Sequence, residues 1–485
     1  MDDRLPWRGL LAGALFYAVV LWLAHGLSPA PYVGGFIYNY YFLSLIDGQL
    51  DIPLQIIGLE GHYTADGRAF VYHGLGPLLT RLLAYPFVDL TQTDLLAPTI
   101  WLFAVIGSGA FYFLLCRMLN LGRQAGLLSA CLWGLVWITG PGLILVSNGS
   151  FYHEPIGMAY ACLGVFLLCL WHLAEGDYGR RRIYITMAVL AALALLARPH
   201  VAVGMYLVMV CIAVGLLWRQ RLRALPVLAL SMGILLAAGV GYMAMNAIRF
   251  GGVTALDGSP LQDVRAVYGF VYWGMEVVDS PRYVAAAEYG RFYPPRILLN
   301  GINYFLATSE ALAVNLTAAW QETLGHIRIE RPVAPLALLW PLWVGFAGYG
   351  VLHRGLPRPF SLLMLIATLP MAVLILSYPT VTMRYRIELW PVIFVLGAGG
   401  MAAFGGALRE RDGFRHRLYG GVALCLGGVL SLQGAYQYAH GVNWRWGGML
   451  RAYEDCAVAV SAHPDLGVAQ VDRLCVIDAP SAAGQ

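Results

Sequence analysis

The sequence predicts an all-α polytopic membrane protein of about eleven transmembrane helices, with interfacial helices in two large extracytoplasmic loops. Three observations predict it. The 485-residue chain is 59% hydrophobic and only 12% charged, about half the charge of an average soluble domain. Its apolar runs reach the roughly 17–25 residues that a helix needs to cross a bilayer. Its basic residues, all arginine apart from histidine because lysine is absent, fall in short clusters between those runs.

The first span, near 9–27, follows Asp2, Asp3, Arg4 and Arg8. No small-residue cleavage site clearly follows it, so it reads as an uncleaved anchor. Five pairs of spans come next, each pair joined through arginines. Runs 94–116 and 124–146 flank Arg117 and Arg123, and 155–173 and 182–197 flank Arg180–Arg182. Runs 199–218 and 224–246 flank Arg219–Arg223, 334–352 and 359–377 flank Arg354 and Arg358, and 387–407 and 417–438 flank Arg409–Arg417. Basic loops mark the cytoplasmic side, which puts the N-terminus inside and the C-terminus outside; the lysine-free composition suggests a high-GC bacterial genome and so a bacterial inner membrane. Ala197-Arg198-Pro199 parts two adjacent spans, because proline has no N–H to continue a helix.

The transmembrane domain is expected over 1–438, with extracytoplasmic loops 28–93 and 248–333 and a small extracytoplasmic tail 439–485. Segments 76–90 and 294–308 are apolar but too interrupted to span, which suits helices lying in the interface. In the tail, Cys456 and Cys475 are the only cysteines outside the apolar runs. An oxidising compartment would let them pair as a disulfide. The other six read as small buried hydrophobes. A net charge of +4 gives no footprint for nucleic acid.

Taking the clusters as cytoplasmic, Arg198, Arg249, Arg384 and Arg386 fall at the opposite, extracytoplasmic ends of the spans. A cation at hydrocarbon depth costs roughly 2.5 kcal/mol or more, so each needs an anionic partner. Glu388 is available within Thr382-Met383-Arg384-Tyr385-Arg386-Ile387-Glu388. A shared ligand suits four arginines better, because guanidinium matches phosphate oxygens bidentately. Against this stands simple snorkelling to headgroups.

The first loop concentrates Asp47, Asp51, Glu60, His62, Asp66 and His73. Such groups suit a general base, or a divalent cation bound through oxygen ligands. Asp47-Gly48 and Asp66-Gly67 are equally explained as turns. Glu154 opens a span behind His153 and ahead of Pro155. A carboxylate there gains about 0.3–1 kcal/mol from the helix dipole alone, yet it faces the same side as the first-loop acids. No metal-ligand cysteine or histidine motif is present.

Four stretches resemble the GT-C superfamily of integral-membrane glycosyltransferases, relatives of protein O-mannosyltransferases and lipid A aminoarabinose transferases. They are YNYYFLSLIDGQLDI, GHYTADGRAFVYHGLGPLLTRLLAYPF, HEPIGMAYACLGVFLL, and the pair MNAIRFGG and MRYRIELWP. The resemblance implies a GT-C-like domain and inverting transfer of a hexose or pentose from a polyprenyl-phosphate carrier. The acceptor would be a glycan, lipid or protein of the cell envelope, reached at the outer membrane face. It implies a first-loop acid as base and often a second acid, matched here by Glu154. The usual first acid would fall near Gly34 or Gly35, so Glu60 or Asp66 would have to substitute. The carrier phosphate would be held by Arg198, Arg249, Arg384 and Arg386, with His62, Tyr63, His153 and Tyr385 as candidate substrate-binding side chains. No separate general acid is then required, and no cofactor is demanded. Three alternatives share these features: a polymerase or ligase using undecaprenyl-diphosphate chains, a lipid or glycan transporter, and a non-catalytic carrier-binding relative.

Overall fold

The computed structural model describes residues 4–25, 34–57, 61–63, 68–119, 126–176, 181–253, 288–325, 327–330, 332–353, 358–408 and 413–441. Glu60, Asp66, Cys456 and Cys475 lie outside the described residues.

Each of the eleven apolar runs is helical, either as one helix or as a broken pair. α1 (Arg4–His25) leads into the first loop, which holds α2 (Ile37–Ile46), α3 (Leu54–Ile57), β1 (Gly61–Tyr63), β2 (Ala69–Val71) and α4 (Leu78–Ala84). α5 (Leu96–Met118), α6 (Gly126–Trp137), α7 (Pro141–Ser147), α8 (His153–Ala174), α9 (Arg181–Ala197), α10 (Pro199–Gln220) and α11 (Leu225–Phe250) follow. The described end of the second loop carries α12 (Arg296–Phe305), α13 (Glu310–Ala319), α14 (Gln321–Leu324) and β3 (Arg328–Ile329). Then come α15 (Leu336–Leu339), α16 (Pro341–His353), α17 (Arg358–Ser377), β4 (Thr380–Val381), α18 (Tyr385–Leu408) and α19 (Gly413–Gly441).

By length and composition, seven of these helices can cross a membrane, or eight if the bent pair α6–α7 counts as one span. The expected number was larger for physical reasons that can be named. The run 124–146 bends by 46° at the break before Pro141. The run 334–352 splits at Trp340, because Pro341 cannot donate to the preceding turn. α9 has 17 residues, since Pro199 starts a new helix where the sequence placed the break. α19 is long enough at 29 residues, but glycines and the glutamines Gln433 and Gln437 dilute its apolar run.

Burial sorts the helices into a centre and a rim. In α5, α8 and α18 about two thirds or more of the spanning window is buried (67%, 72% and 72%), whereas α1 has 11% and α11 has 22%. At the centre Phe111, Trp343, Trp390 and Phe394 pack edge-on or tilted, with centroids 4.8–5.4 Å apart. Such pairs add about 0.5–1.5 kcal/mol each beyond area burial, and they fix α18, whose first turn carries the site. α16 lies against α18 at backbone contact. A Cβ on Gly350 would meet the Gly400 amide nitrogen at 2.8 Å, and a Cβ on Gly400 would meet that of Gly350 at 2.9 Å. Small residues of this kind are how helices approach closely where no hydrophobic force separates lipid from protein. Of the cysteines described, Cys162 is buried, but Cys211 and Cys425 are exposed on the helix surfaces, which corrects the expectation that all six are buried.

Two small sheets tie the loops down. β1 and β2 pair antiparallel, His62 opposite Phe70 and Tyr63 opposite Ala69. β3 and β4 pair in parallel, Arg328 opposite Thr380 and Ile329 opposite Val381, which anchors the second loop beside the start of α18. Both expected interfacial helices form. α4 exposes Leu79, Leu82 and Leu83 while burying Arg81, and α12 exposes Leu298 while burying Arg296. Each thus turns its apolar face outward and its arginine into the protein, the arrangement expected of a helix lying on lipid.

Candidate functional site

The helix ends that carry functional side chains gather at one end of the bundle: the starts of α5, α8, α10 and α18 and the ends of α9 and α11. At the other end, Arg117 of α5 pairs with Glu175 just beyond α8 at 3.0 Å, exposed to solvent.

Glu154 and Arg81 form an ion pair with no exposure on either side chain. Arg81 donates from Nη2 to Glu154 Oε1 at 2.8 Å and from Nη1 to Oε2. Its remaining donors reach Asn39 Oδ1 (2.9 Å), Thr80 Oγ1 (3.0 Å) and Thr99 Oγ1 (3.3 Å). Asn39 in turn donates to the carbonyls of Leu90 (2.9 Å) and Thr93 (2.7 Å). The fork therefore stitches α2, α4, α5 and α8 into one block. Every guanidinium nitrogen has an acceptor, which a buried charge requires. Glu154, read from the sequence as an acid open to substrate, is a sealed carboxylate with both oxygens committed to Arg81.

The arginines divide. Arg249 donates to the Val71 carbonyl (2.7 Å), Tyr41 Oη (3.2 Å) and Asn246 Oδ1 (2.8 Å), clamping the end of α11 to β2 and α2. Among the described residues it shares no hydrogen-bond, ion-pair or ring partner with the other three. Arg198 meets Glu388 at 3.1 Å, and His200 approaches the same carboxylate oxygen at 3.1 Å. Arg384 pairs with Glu330, beside β3, at 3.2 Å. The sequence offered Glu388 as partner for Arg384 or Arg386. It is taken by Arg198 instead, because residues two apart on a helix diverge and Arg384, before the first turn, points toward Glu330. Tyr385 lies between two cations, 5.7 Å from Arg198 and 5.6 Å from Arg384. Arg384 also lies 4.3 Å over the ring of Tyr152.

Arg386 differs from all of these. It is 1% exposed, and none of its three guanidinium nitrogens has a hydrogen-bond partner. Among the described residues its one close neighbour of complementary character is the Tyr304 ring, 5.0 Å away. His153 is fully buried, its Nε2 2.7 Å from Tyr438 Oη. Tyr438 lies within electrostatic reach of Arg384, Arg386 and Glu330, which joins α19 to the cluster. His62 and Tyr63 sit on β1 in the first loop.

Asp94, just before α5, escaped the sequence reading. Its Oδ1 accepts the Leu96 N–H at 2.8 Å, and its carboxylate lies against Gly35. Burial pushes its carboxyl above the usual range, opposed by the Leu96 N–H and by Arg81. Asp89, five residues earlier and exposed, is held below it by hydrogen bonds from Thr91. Arg81, Glu330 and Tyr438 were missed as site residues for a common reason: each meets its partner across a long stretch of chain. Among the described residues no group of three His, Cys, Asp or Glu side chains is arranged to hold a metal ion.

Over its full length the chain is similar to the oligosaccharyltransferase of Archaeoglobus fulgidus in its apo form, with a TM-score of 0.53 at 14% identity. That protein is a membrane glycosyltransferase of the GT-C superfamily. This chain has the GT-C fold. It spans 61% of the length of that oligosaccharyltransferase. More distant likenesses under the GT-C fold are ArnT from Cupriavidus metallidurans bound to undecaprenyl phosphate (TM-score 0.48, 11% identity, 96% of this chain and 84% of that one). The archaeal oligosaccharyltransferase AglB from Archaeoglobus fulgidus, in complex with an inhibitory peptide and a dolichol-phosphate, scores 0.47 at 12% identity, over 94% of this chain and 58% of that one. The sequence matches no protein-family model and no curated protein.

Proposed function

We propose that the protein is a lipid-carrier-dependent glycosyltransferase, moving one sugar from a polyprenyl-phosphate carrier to a hydroxyl of a cell-envelope acceptor at the outer face of a bacterial inner membrane. The observation that carries this is Arg386, a buried guanidinium with no hydrogen-bond partner among the described residues. Burying such a charge costs several kcal/mol, and one desolvated aromatic ring returns about 2 kcal/mol. The balance calls for an anion with oxygen acceptors, and a phosphate fits a guanidinium fork.

Charge count calls for an anionic carrier. Arg198, Arg328, Arg384 and Arg386 face Glu330 and Glu388, which leaves an excess of two positive charges. A polyprenyl-phosphate sugar is a phosphodiester with a single negative charge, whereas a diphosphate carries two. The excess of two is matched by the dianion that a monophosphate becomes as the sugar departs. On transfer, the anomeric C–O bond breaks and its electron pair leaves with the phosphate. The extra charge then develops beside Arg386 and Arg384, where prearranged donors lower the barrier most. His153 and Tyr385 border this volume and would contact the sugar, while Arg249, Arg81 and Glu154 hold the loops that enclose it.

Proteoliposomes given undecaprenyl phosphate carrying radiolabelled hexoses or pentoses, with a cell-envelope extract as acceptor, test this. Wild type should transfer label and Arg386→Met should not, although it stays folded. Equal transfer by both proteins, or none by wild type from any donor, would overturn the proposal.

A further inference from the structure

We propose that Asp94 is the carboxylate that takes the proton from the attacking acceptor hydroxyl; this rests on the glycosyl-transfer reading above. The first loop begins, in the described chain, at Gly34 and Gly35, where the sequence resemblance expects an acid and finds no side chain. The space is not vacant. A Cβ built on Gly35 would lie 2.6 Å from Asp94 Cγ and inside the envelope of Oδ2. A carboxylate from the far end of the same loop therefore fills the volume that a side chain on residue 35 would enter. Glycine at 35 is what allows it.

Three further features suit Asp94 to accept a proton. Its Oδ1 is fixed by the Leu96 N–H, which orients Oδ2 toward Gly35. It is half-buried, so an acceptor and then water can reach it, unlike Glu154, which is sealed and committed to Arg81. It lies within electrostatic reach of Arg81 and Glu154. Burial holds its carboxyl above the usual range, which makes it a stronger base than the neighbouring Asp89, held below that range by Thr91.

The step balances. A lone pair of the acceptor oxygen forms the new bond to the anomeric carbon as the bond to the carrier-phosphate oxygen breaks. The bonding electrons leave with the phosphate, and the hydroxyl proton passes to Asp94, then to water.

The alternative is that Asp94 only caps α5. Asparagine separates the two, because it keeps the Oδ1 acceptor and the volume but cannot take the proton. Asp94→Asn should lower turnover of undecaprenyl-phosphate sugars by about 10²–10⁴-fold, with undecaprenyl phosphate binding unchanged. The acid limb of the wild-type kcat/KM profile should lie above the ordinary carboxylate range. The paired change Gly35→Asp with Asp94→Gly returns a carboxylate to the same space from the other side and should exceed Asp94→Gly alone by about tenfold or more. Turnover by Asp94→Asn within about threefold of wild type, or a paired variant no better than Asp94→Gly, would overturn the proposal and leave glycosyl transfer standing. Absence of transfer by wild type with every donor would instead overturn the glycosyl-transfer reading itself, and this proposal with it.

Discussion

Replacing Glu154 by glutamine separates a structural carboxylate from a reactive one. In the native protein Arg81 has a carboxylate oxygen on each Nη, an amide oxygen on Nε and two threonine hydroxyls, all without solvent. Glutamine offers one acceptor oxygen and sets an N–H group against the other guanidinium nitrogen. Arg81 becomes an uncompensated buried cation. Breaking a buried pair in this way costs about 3–5 kcal/mol. The retained oxygen and the Asn39 contact place Glu154→Gln near the lower end, and Glu154→Ala nearer the upper. Replacing both partners, as Arg81→Met with Glu154→Leu, removes the stranded charge and should recover most of the loss, since apolar substitutes for buried pairs are often neutral. Equilibrium unfolding in detergent micelles of the two single variants and the double variant would measure the coupling. Stability of Glu154→Gln within about 1 kcal/mol of wild type, with activity abolished, would refute the structural assignment and return Glu154 to the chemistry.

Other expectations follow from the same accounting. Arg386→Met removes a buried cation that lacks an acid partner, so the ligand-free protein should be as stable as wild type or more so in thermal unfolding, the reverse of Glu154→Gln. The Asp94 carboxyl, raised by burial, contributes stability that is fully present below its unfolded pKa and is lost as pH rises through the raised folded value. Asp94→Asn should therefore flatten the fall in stability as pH rises through and above the ordinary carboxylate range, read from unfolding curves at several pH values. Gly400→Leu would force a side chain between α16 and α18 where the backbones touch, and should destabilise by about 1–3 kcal/mol or block folding.

The spans were legible because their causes are local. Apolar runs of bilayer length, arginines between them and Pro199 at the break sufficed to locate all eleven segments, and the two amphipathic loop helices announced themselves by composition. The bends at Pro141 and Pro341 carried the same kind of signal. Pairing was not legible, because it depends on which helix ends meet. Arg81 was read as an interruption in an apolar segment, yet it is the counter-charge of Glu154, 73 residues away. Glu388 was offered to Arg384 or Arg386, but Arg198, in the break between α9 and α10, holds it. The four arginines were expected on one membrane side, which says nothing of what each one meets. Only the fold shows that Arg249 is a clamp and that Arg386 is a buried cation without an acid among the described residues. Asp94 was overlooked because the expected acid was sought at residues 34–35, and nothing local signals that the end of the loop returns there.

The most direct test of the central claim is calorimetric binding of undecaprenyl phosphate to the detergent-solubilised protein, compared with undecaprenol, which has the same chain and no phosphate. Wild type should bind the phosphate at least about tenfold, or about 1.4 kcal/mol, more tightly than the alcohol, and Arg386→Met should lose that difference. Equal affinity of wild type for the two lipids, or a phosphate preference that survives Arg386→Met, would contradict the account.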